Sequence, residues 1–83
     1  MVSDKLNIDV SEILDARGLY CPEPVFRTKI ALEKLQLGNV LKILADDPAA
    51  DDDISRWVDR NGHILLQKNQ KNNYFEFLVQ KGK

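Results

Sequence analysis

The stretch PEPVFRTKIALEKLQLGNVLKILA, residues 22–45, decides how this chain folds. It contains no glycine until Gly38 and opens on a proline. Proline inside the first turn and glycine just past the last are the end signals of an α-helix. The spacing therefore predicts a helix over Pro22–Leu37, stopped at Gly38. NVLKILA (39–45) is apolar and partly β-branched, and reads as a buried strand. Upstream, EILDAR (12–17) suits a short strand punctuated by Gly18. Downstream, DDPAADDD (46–53) reads as a loop into a second helix, where Ile54, Trp57 and Val58 recur at i, i+3, i+4. That helix should end near Asn61-Gly62. HILLQK (63–68) and NYFEFLVQK (73–81) then form a hairpin across the polar turn NQKN (69–72).

The order is β-α-β-α-β-β. Strands joined through a helix should run parallel, and the final hairpin must be antiparallel. Two helices can cover one face of such a sheet. The expected fold class is α/β (α+β): a two-layer βαβαββ sandwich with a mixed four-stranded sheet and both helices on one face. Residues 1–11 carry only scattered Leu6, Ile8 and Val10 and are read as a loose extension, leaving 12–83 as a single domain.

Composition narrows the function classes. Eighty-three residues suffice for one small core, because a chain this short buries only about 60–65% of its unfolded surface. A net charge of -1 offers no general attraction to nucleic acid or anionic membranes. No apolar run reaches the roughly 18 residues that cross a bilayer, and the start lacks the pattern of a signal peptide. The chain holds one cysteine, which excludes an internal disulfide. These features describe a cytoplasmic, reduced protein, expected to be monomeric when free and to need no cofactor.

That cysteine stands at the helix start. With Pro22 at the first helical position, Cys21 becomes the N-cap within a residue. The two prolines fix their φ angles and hold the sulfur in one direction. The amide of Glu23 is then the donor nearest the sulfur. A free thiol titrates near pH ~8.5, and a helix dipole is worth about 0.3–1 kcal/mol at an exposed end, which is less than one pKa unit. The dipole and the Glu23 amide favour the thiolate and the Glu23 carboxylate opposes it, so the expectation is a moderately activated thiol. Cysteine is a poor helix cap beside Ser, Asp or Asn, so its presence there calls for a reason other than packing.

LDARGLYCPEPV (14–25), ADDPAADDDI (45–54) and the closing NGHILL…YFEFLVQK together resemble the TusA family of small sulfur-carrier proteins, also known by its SirA members. The similarity spans nearly all of residues 13–82. Its defining element is Cys-Pro-x-Pro, matched by Cys21, Pro22, Glu23 and Pro24. The resemblance implies the same βαβαββ sandwich and a sulfurtransferase of the carrier type. Cys21 would accept sulfane sulfur as a persulfide from a cysteine desulfurase or similar donor. An acceptor protein would then take it for tRNA thiolation, molybdenum-cofactor assembly or sulfur metabolism. A carrier gains from a solitary cysteine, because a neighbouring thiol would resolve the persulfide to a disulfide. Two other readings are a non-catalytic module whose cysteine senses oxidation and an accessory partner of a transporter for sulfur compounds.

The remaining polar candidates read as structural. Asp46, Asp47 and Asp51–Asp53 lack the regular spacing and distal glutamate of a calcium loop, and carboxylates at a helix start complement its dipole. Asp51 to Asp53 are thus expected in the cap and first turn. Relatives often carry Thr or Arg where this chain has Ala50, Asp51 and Asp52, so a partner contact made there is expected to be missing. His63 has no ligand partners at metal spacing, and would act as a base only if the fold brought it to Cys21. Trp57, Phe75 and Phe77 are expected in the core, and Lys68 and Lys71 in solvent. On the first helix, Val25, Thr28, Ala31, Leu32 and Leu35 form the stripe facing the sheet. Phe26 and Ile30 stand away from it, flanked by Arg27 and Lys29. They either pack on helix two or form an apolar docking patch beside the thiol.

Overall fold

A computed structural model describes residues 9–83. The order is β1 (Glu12–Asp15), α1 (Glu23–Glu33), β2 (Val40–Ala45), α2 (Pro48–Arg60), β3 (Ile64–Gln70) and β4 (Phe75–Gln80). The element order and types match the sequence reading. Most of the expected extension, through residue 8, lies outside the described residues. Within the rest of it, Ser11 already joins the sheet, its amide donating to the Val40 carbonyl at 2.8 Å.

The strands lie in the order β1-β2-β4-β3. β1 runs parallel to β2, while β4 is antiparallel to both β2 and β3. Placing β4 between β2 and β3 lets the hairpin close while β2 and β3 still point the same way. Alternate residues then meet the helices: Leu41, Ile43 and Ala45 from β2, and Phe77 and Val79 from β4, are all fully buried. They pack with Leu32 of α1 and with Ala50, Ile54 and Val58 of α2. Phe75 and Trp57 sit against this cluster without being enclosed by it. The opposite face stays open, with Ile13, Ile64 and Leu66 exposed.

Several boundaries move. α1 ends at Glu33, four residues before the expected Leu37. Its last turn tightens to i→i−3 bonds at Lys34 and Leu35, and the Leu35 carbonyl accepts from Lys81 Nζ at 2.6 Å. With that acceptor taken from outside, the helical ladder has no reason to continue. α2 begins at Pro48, earlier than expected, because Asp47 caps it: Oδ1 accepts from the Ala49 amide at 3.1 Å. Asp51 therefore stands in the first turn, as expected, while none of Asp51 to Asp53 forms the cap. The helix stops at Gly62, whose φ of +79° only glycine adopts without strain. The hairpin turn is Lys71–Tyr74, two residues later than NQKN, closed by the Lys71 amide on the Tyr74 carbonyl at 2.7 Å. Lys68 is not simply solvated, since its Nζ pairs with Asp51 at 2.7 Å and ties β3 to α2.

The stripe of α1 facing the sheet includes one unexpected member. Pro24 is fully buried along with Thr28 and Leu32, and its carbonyl accepts from Thr28 Oγ1 at 2.8 Å. Pro24 is a packing residue as much as a stiffener. Its replacement by alanine leaves a gap in the core.

Candidate functional site

The loop 16–22 carries Cys21 to the start of α1. Gly18, with φ of +84°, turns the chain, and its amide donates to Asp46 Oδ1 at 2.9 Å. Before the turn, Asp15 and Arg17 form a bidentate pair with both contacts at 2.8 Å. These hydrogen bonds hold the Asp15 carboxyl at about 2. The Arg17 guanidinium also lies over the Tyr74 ring, 5.1 Å from its centre, which fastens the loop to the β3–β4 turn. The amide of Cys21 itself donates to Asp47 Oδ2 at 2.8 Å. One carboxylate thus caps α2 with one oxygen and fixes the cysteine backbone with the other.

Cys21 is exposed and precedes the N-cap by one residue, the cap position being Pro22. The Cys21–Pro22 peptide is cis. The Glu23 amide does not serve the sulfur, because it donates to the Tyr20 carbonyl at 2.8 Å. The thiol instead faces Asp53. Its polar interaction with that carboxylate is the largest influence, followed by desolvation and by the charges of Asp53 and Asp47; all raise the thiol pKa. This overturns the expectation of a moderately activated thiol. The helix dipole is small, and two carboxylates outweigh it.

A depression beside the sulfur is lined by Cys21, Pro22, Val25, Asp53, Arg56, Trp57 and Arg60. A second groove continues from it across Pro22, Val25 and Trp57 to Glu23, Phe26 and Lys29. Trp57 is the wall common to both, a half-buried residue and not an enclosed core one. Phe26 is 54% exposed, so it does not pack inside the molecule. Tyr20, next to the cysteine, is 72% exposed. The four residues of the expected docking patch separate. Phe26 and Lys29 face the groove, while Arg27 and Ile30 line another depression toward Glu12 and Leu14 of β1.

His63 is not among the residues around the thiol. Its ring stacks on Trp57 at 5.4 Å, and its Nδ1 accepts from the Gly82 amide at 3.1 Å. Burial lowers its pKa, with Lys81 and Lys83 adding to the effect, which favours the neutral ring that this bond requires. It supports the wall formed by Trp57.

Sequence reasoning missed Asp53, Arg56 and Arg60 as neighbours of the thiol. The signal was present: residues 53, 56, 57 and 60 fall at i, i+3, i+4 and i+7, one face of α2. The apolar stripe of Ile54 and Val58 drew the reading to the adjacent face and counted Trp57 with it.

The arrangement predicts a pH effect. An Asp53→Asn variant loses the carboxylate that keeps the proton on sulfur, so its thiol should ionise at lower pH. Alkylation by neutral iodoacetamide at pH 7 should speed up, with the rate profile displaced to lower pH. An unchanged profile would remove Asp53 from the thiol's environment.

Comparison with known proteins agrees with this picture. The family model described as Sulfurtransferase TusA matches residues 12–81. A Bacillus subtilis protein named "Putative sulfur carrier protein YrkI" is 39% identical over 71 residues, covering 86% of this chain and 95% of its own. An Archaeoglobus fulgidus protein with the same description is 50% identical over 54 residues, 65% of this chain and 70% of that one. The crystal structure of a SirA-like protein from Desulfitobacterium hafniense superposes with a TM-score of 0.76 at 28% identity, covering 87% of this chain and 99% of that chain. With Cys-Pro-Glu-Pro at the start of α1 and the match running from β1 past the end of β4, this chain belongs to the TusA family.

Proposed function

We propose that the protein is a persulfide-type sulfurtransferase in which Cys21 receives sulfane sulfur from a donor protein and relays it to an acceptor. The observation that carries this reading is an exposed, solitary thiol, fixed through its own backbone by Asp47 and placed at the mouth of a groove. In the loading step the Cys21 thiolate attacks the outer sulfur of a donor persulfide. The donor's S–S bond breaks, its inner sulfur leaves as a thiolate with the bonding pair, and Cys21 becomes Cys–S–SH. In the relay step an acceptor thiolate attacks that outer sulfur, and Cys21 leaves as a thiolate. The sulfane sulfur keeps its oxidation state, so no external oxidant or reductant enters.

Asp53 shapes both steps. A thiol of raised pKa spends less time as thiolate, but each thiolate is a stronger nucleophile and a poorer leaving group. The empty carrier is thereby quiet toward small oxidants, and the loaded one gives up its sulfur reluctantly until an acceptor is positioned. Pro22, Glu23 and Pro24 hold the direction of the sulfur at the helix start. The donor is a cysteine desulfurase or another sulfane-sulfur protein. The acceptor serves tRNA thiolation, molybdenum-cofactor assembly or sulfur metabolism, in the cytoplasm. Residues 12–83 act as one domain, monomeric when free.

Of the four residues of α1 expected to dock a partner, Phe26 and Lys29, which line the groove, form the docking side, and Arg27 and Ile30 lie outside it. Phe26→Ser is expected to slow loading and relay while leaving the melting temperature nearly unchanged, because the ring is largely in solvent. A loss of about 3–5 kcal/mol, the usual result for a large-to-small core change, would instead place Phe26 in the interior. The relay itself is tested by isolating the loaded protein and adding cyanide. Cyanide should remove the outer sulfur as thiocyanate and return a free thiol; protein loaded to completion that releases no thiocyanate would contradict a persulfide.

A further inference from the structure

The α2 wall of the thiol depression is cationic in a chain whose net charge is -1. Asp53, Arg56, Trp57 and Arg60 occupy one face of the helix, and across the continuing groove stand Phe26 and Lys29 of α1. The two carboxylates that line the depression and the groove are already engaged. Asp53 faces the Cys21 thiol, and Glu23 pairs with Arg27 at 3.3 Å. Arg56 approaches Asp52 only at 4.0 Å, with both side chains mostly in solvent. Among the described residues, Arg60 and Lys29 have no carboxylate within ion-pair distance. The result is a short apolar floor of Pro22, Val25 and Trp57 between the two arginines of α2 and the single Lys29 of α1.

We infer that Arg56 and Arg60 are the partner-selecting half of the docking surface, and that the protein seated there presents carboxylates beside an apolar side chain that enters the groove at Trp57. The inference rests on the sulfur-carrier reading and names the chemistry of its partner. The charge pattern favours this occupant over a purely apolar one. Closing an uncharged surface over Arg60 and Lys29 would strip water from two unpaired cations, whereas opposing carboxylates replace that water and steer the encounter. An apolar side chain on Trp57 and Val25 supplies the desolvated centre around which such a rim acts. The thiol lies at the end of the same depression, so a partner held this way brings its own sulfur to Cys21.

The test is steady-state loading of the carrier by a purified cysteine desulfurase supplied with cysteine, using wild type and an Arg56→Glu/Arg60→Glu double variant. Both arginines are exposed, and melting curves with iodoacetamide alkylation of Cys21 check that fold and thiol are retained. The KM for the carrier should rise roughly tenfold or more, with kcat changed little, because two rim charges are reversed and not merely removed. Raising sodium chloride should weaken wild-type loading and affect the variant far less. Loading from inorganic polysulfide, with each rate divided by the same protein's iodoacetamide alkylation rate to remove any change in thiol ionisation, should be equal in the two proteins. An unchanged KM in the variant, with wild type loading normally, overturns the docking inference alone. An equal loss with polysulfide assigns the arginines to small anions and likewise overturns it. A wild type that acquires no sulfur from either source overturns the carrier reading and the inference together.

Discussion

An Asp47→Ala variant is expected to lose about 1–2 kcal/mol of stability and most of its sulfur-transfer rate. The stability part has two sources. Asp47 is the N-cap of α2, and replacing such a cap by alanine typically costs about 1 kcal/mol. Its second oxygen accepts the Cys21 amide, a charge-assisted bond whose loss adds up to about 1 kcal/mol where water can partly replace it. For a domain of this size each kcal/mol corresponds to a melting shift of about 4–8 °C. The effect on transfer is larger than the stability suggests. With Asp46 on Gly18, Asp47 is what fixes the cysteine loop to the β2–α2 turn. A displacement of 1 Å at a reacting atom can reduce rate by about a hundredfold, so transfer should fall at least tenfold. Asp47→Asn separates the two roles. Its carbonyl oxygen can still accept the Ala49 amide, while its NH2 group would face the Cys21 amide. It should recover most of the melting temperature without recovering transfer. Wild-type transfer in either variant would show that the loop needs no such anchor.

How much of this was legible in the sequence follows from the range of each interaction. Helix and strand identities depend on local patterning, and residues 22–45 carry it plainly, as does the 54, 57, 58 spacing of α2. Gly62 stops α2 where a glycine stop was expected, since its φ is a local demand. The end of α1 was misplaced because it is set by Lys81, a residue 46 positions away from the carbonyl that it caps. The insertion of β4 between β2 and β3 is likewise a long-range choice that no local pattern encodes. At the site, the motif cysteine and its prolines could be found by spacing and by resemblance. The direction of the thiol's pKa could not. It depends on Asp53, a carboxylate from another helix that folding brings across the groove, and on the loss of the Glu23 amide to Tyr20. The aspartates read as a simple helix start prove to be divided among separate tasks: Asp46 on Gly18, Asp47 on Cys21 and Ala49, Asp51 on Lys68, and Asp53 toward the sulfur.

Cys21→Ser is expected to abolish sulfur loading altogether while leaving the fold intact. The chain has no other thiol to substitute for it, and serine is close in size at a position where the side chain is exposed and supports no packing. A hydroxyl cannot hold a sulfane sulfur under these conditions, because its oxygen is hardly ionised at neutral pH and is a weak nucleophile toward sulfur. The variant therefore separates transfer from every contribution that the surface makes. A partner should still bind it, since Phe26, Trp57, Arg56 and Arg60 are unchanged, and it should compete with wild type for the donor.

The central claim is that Cys21 carries the sulfur, and intact-mass analysis tests it most directly. Wild type and Cys21→Ser are each incubated with a cysteine desulfurase and free cysteine, then measured before and after treatment with a reductant. Wild type should gain the mass of one sulfur atom, lose it on reduction, and Cys21→Ser should gain nothing. A wild type that stays unmodified with several such donors, or a serine variant that gains the same mass, would contradict the account.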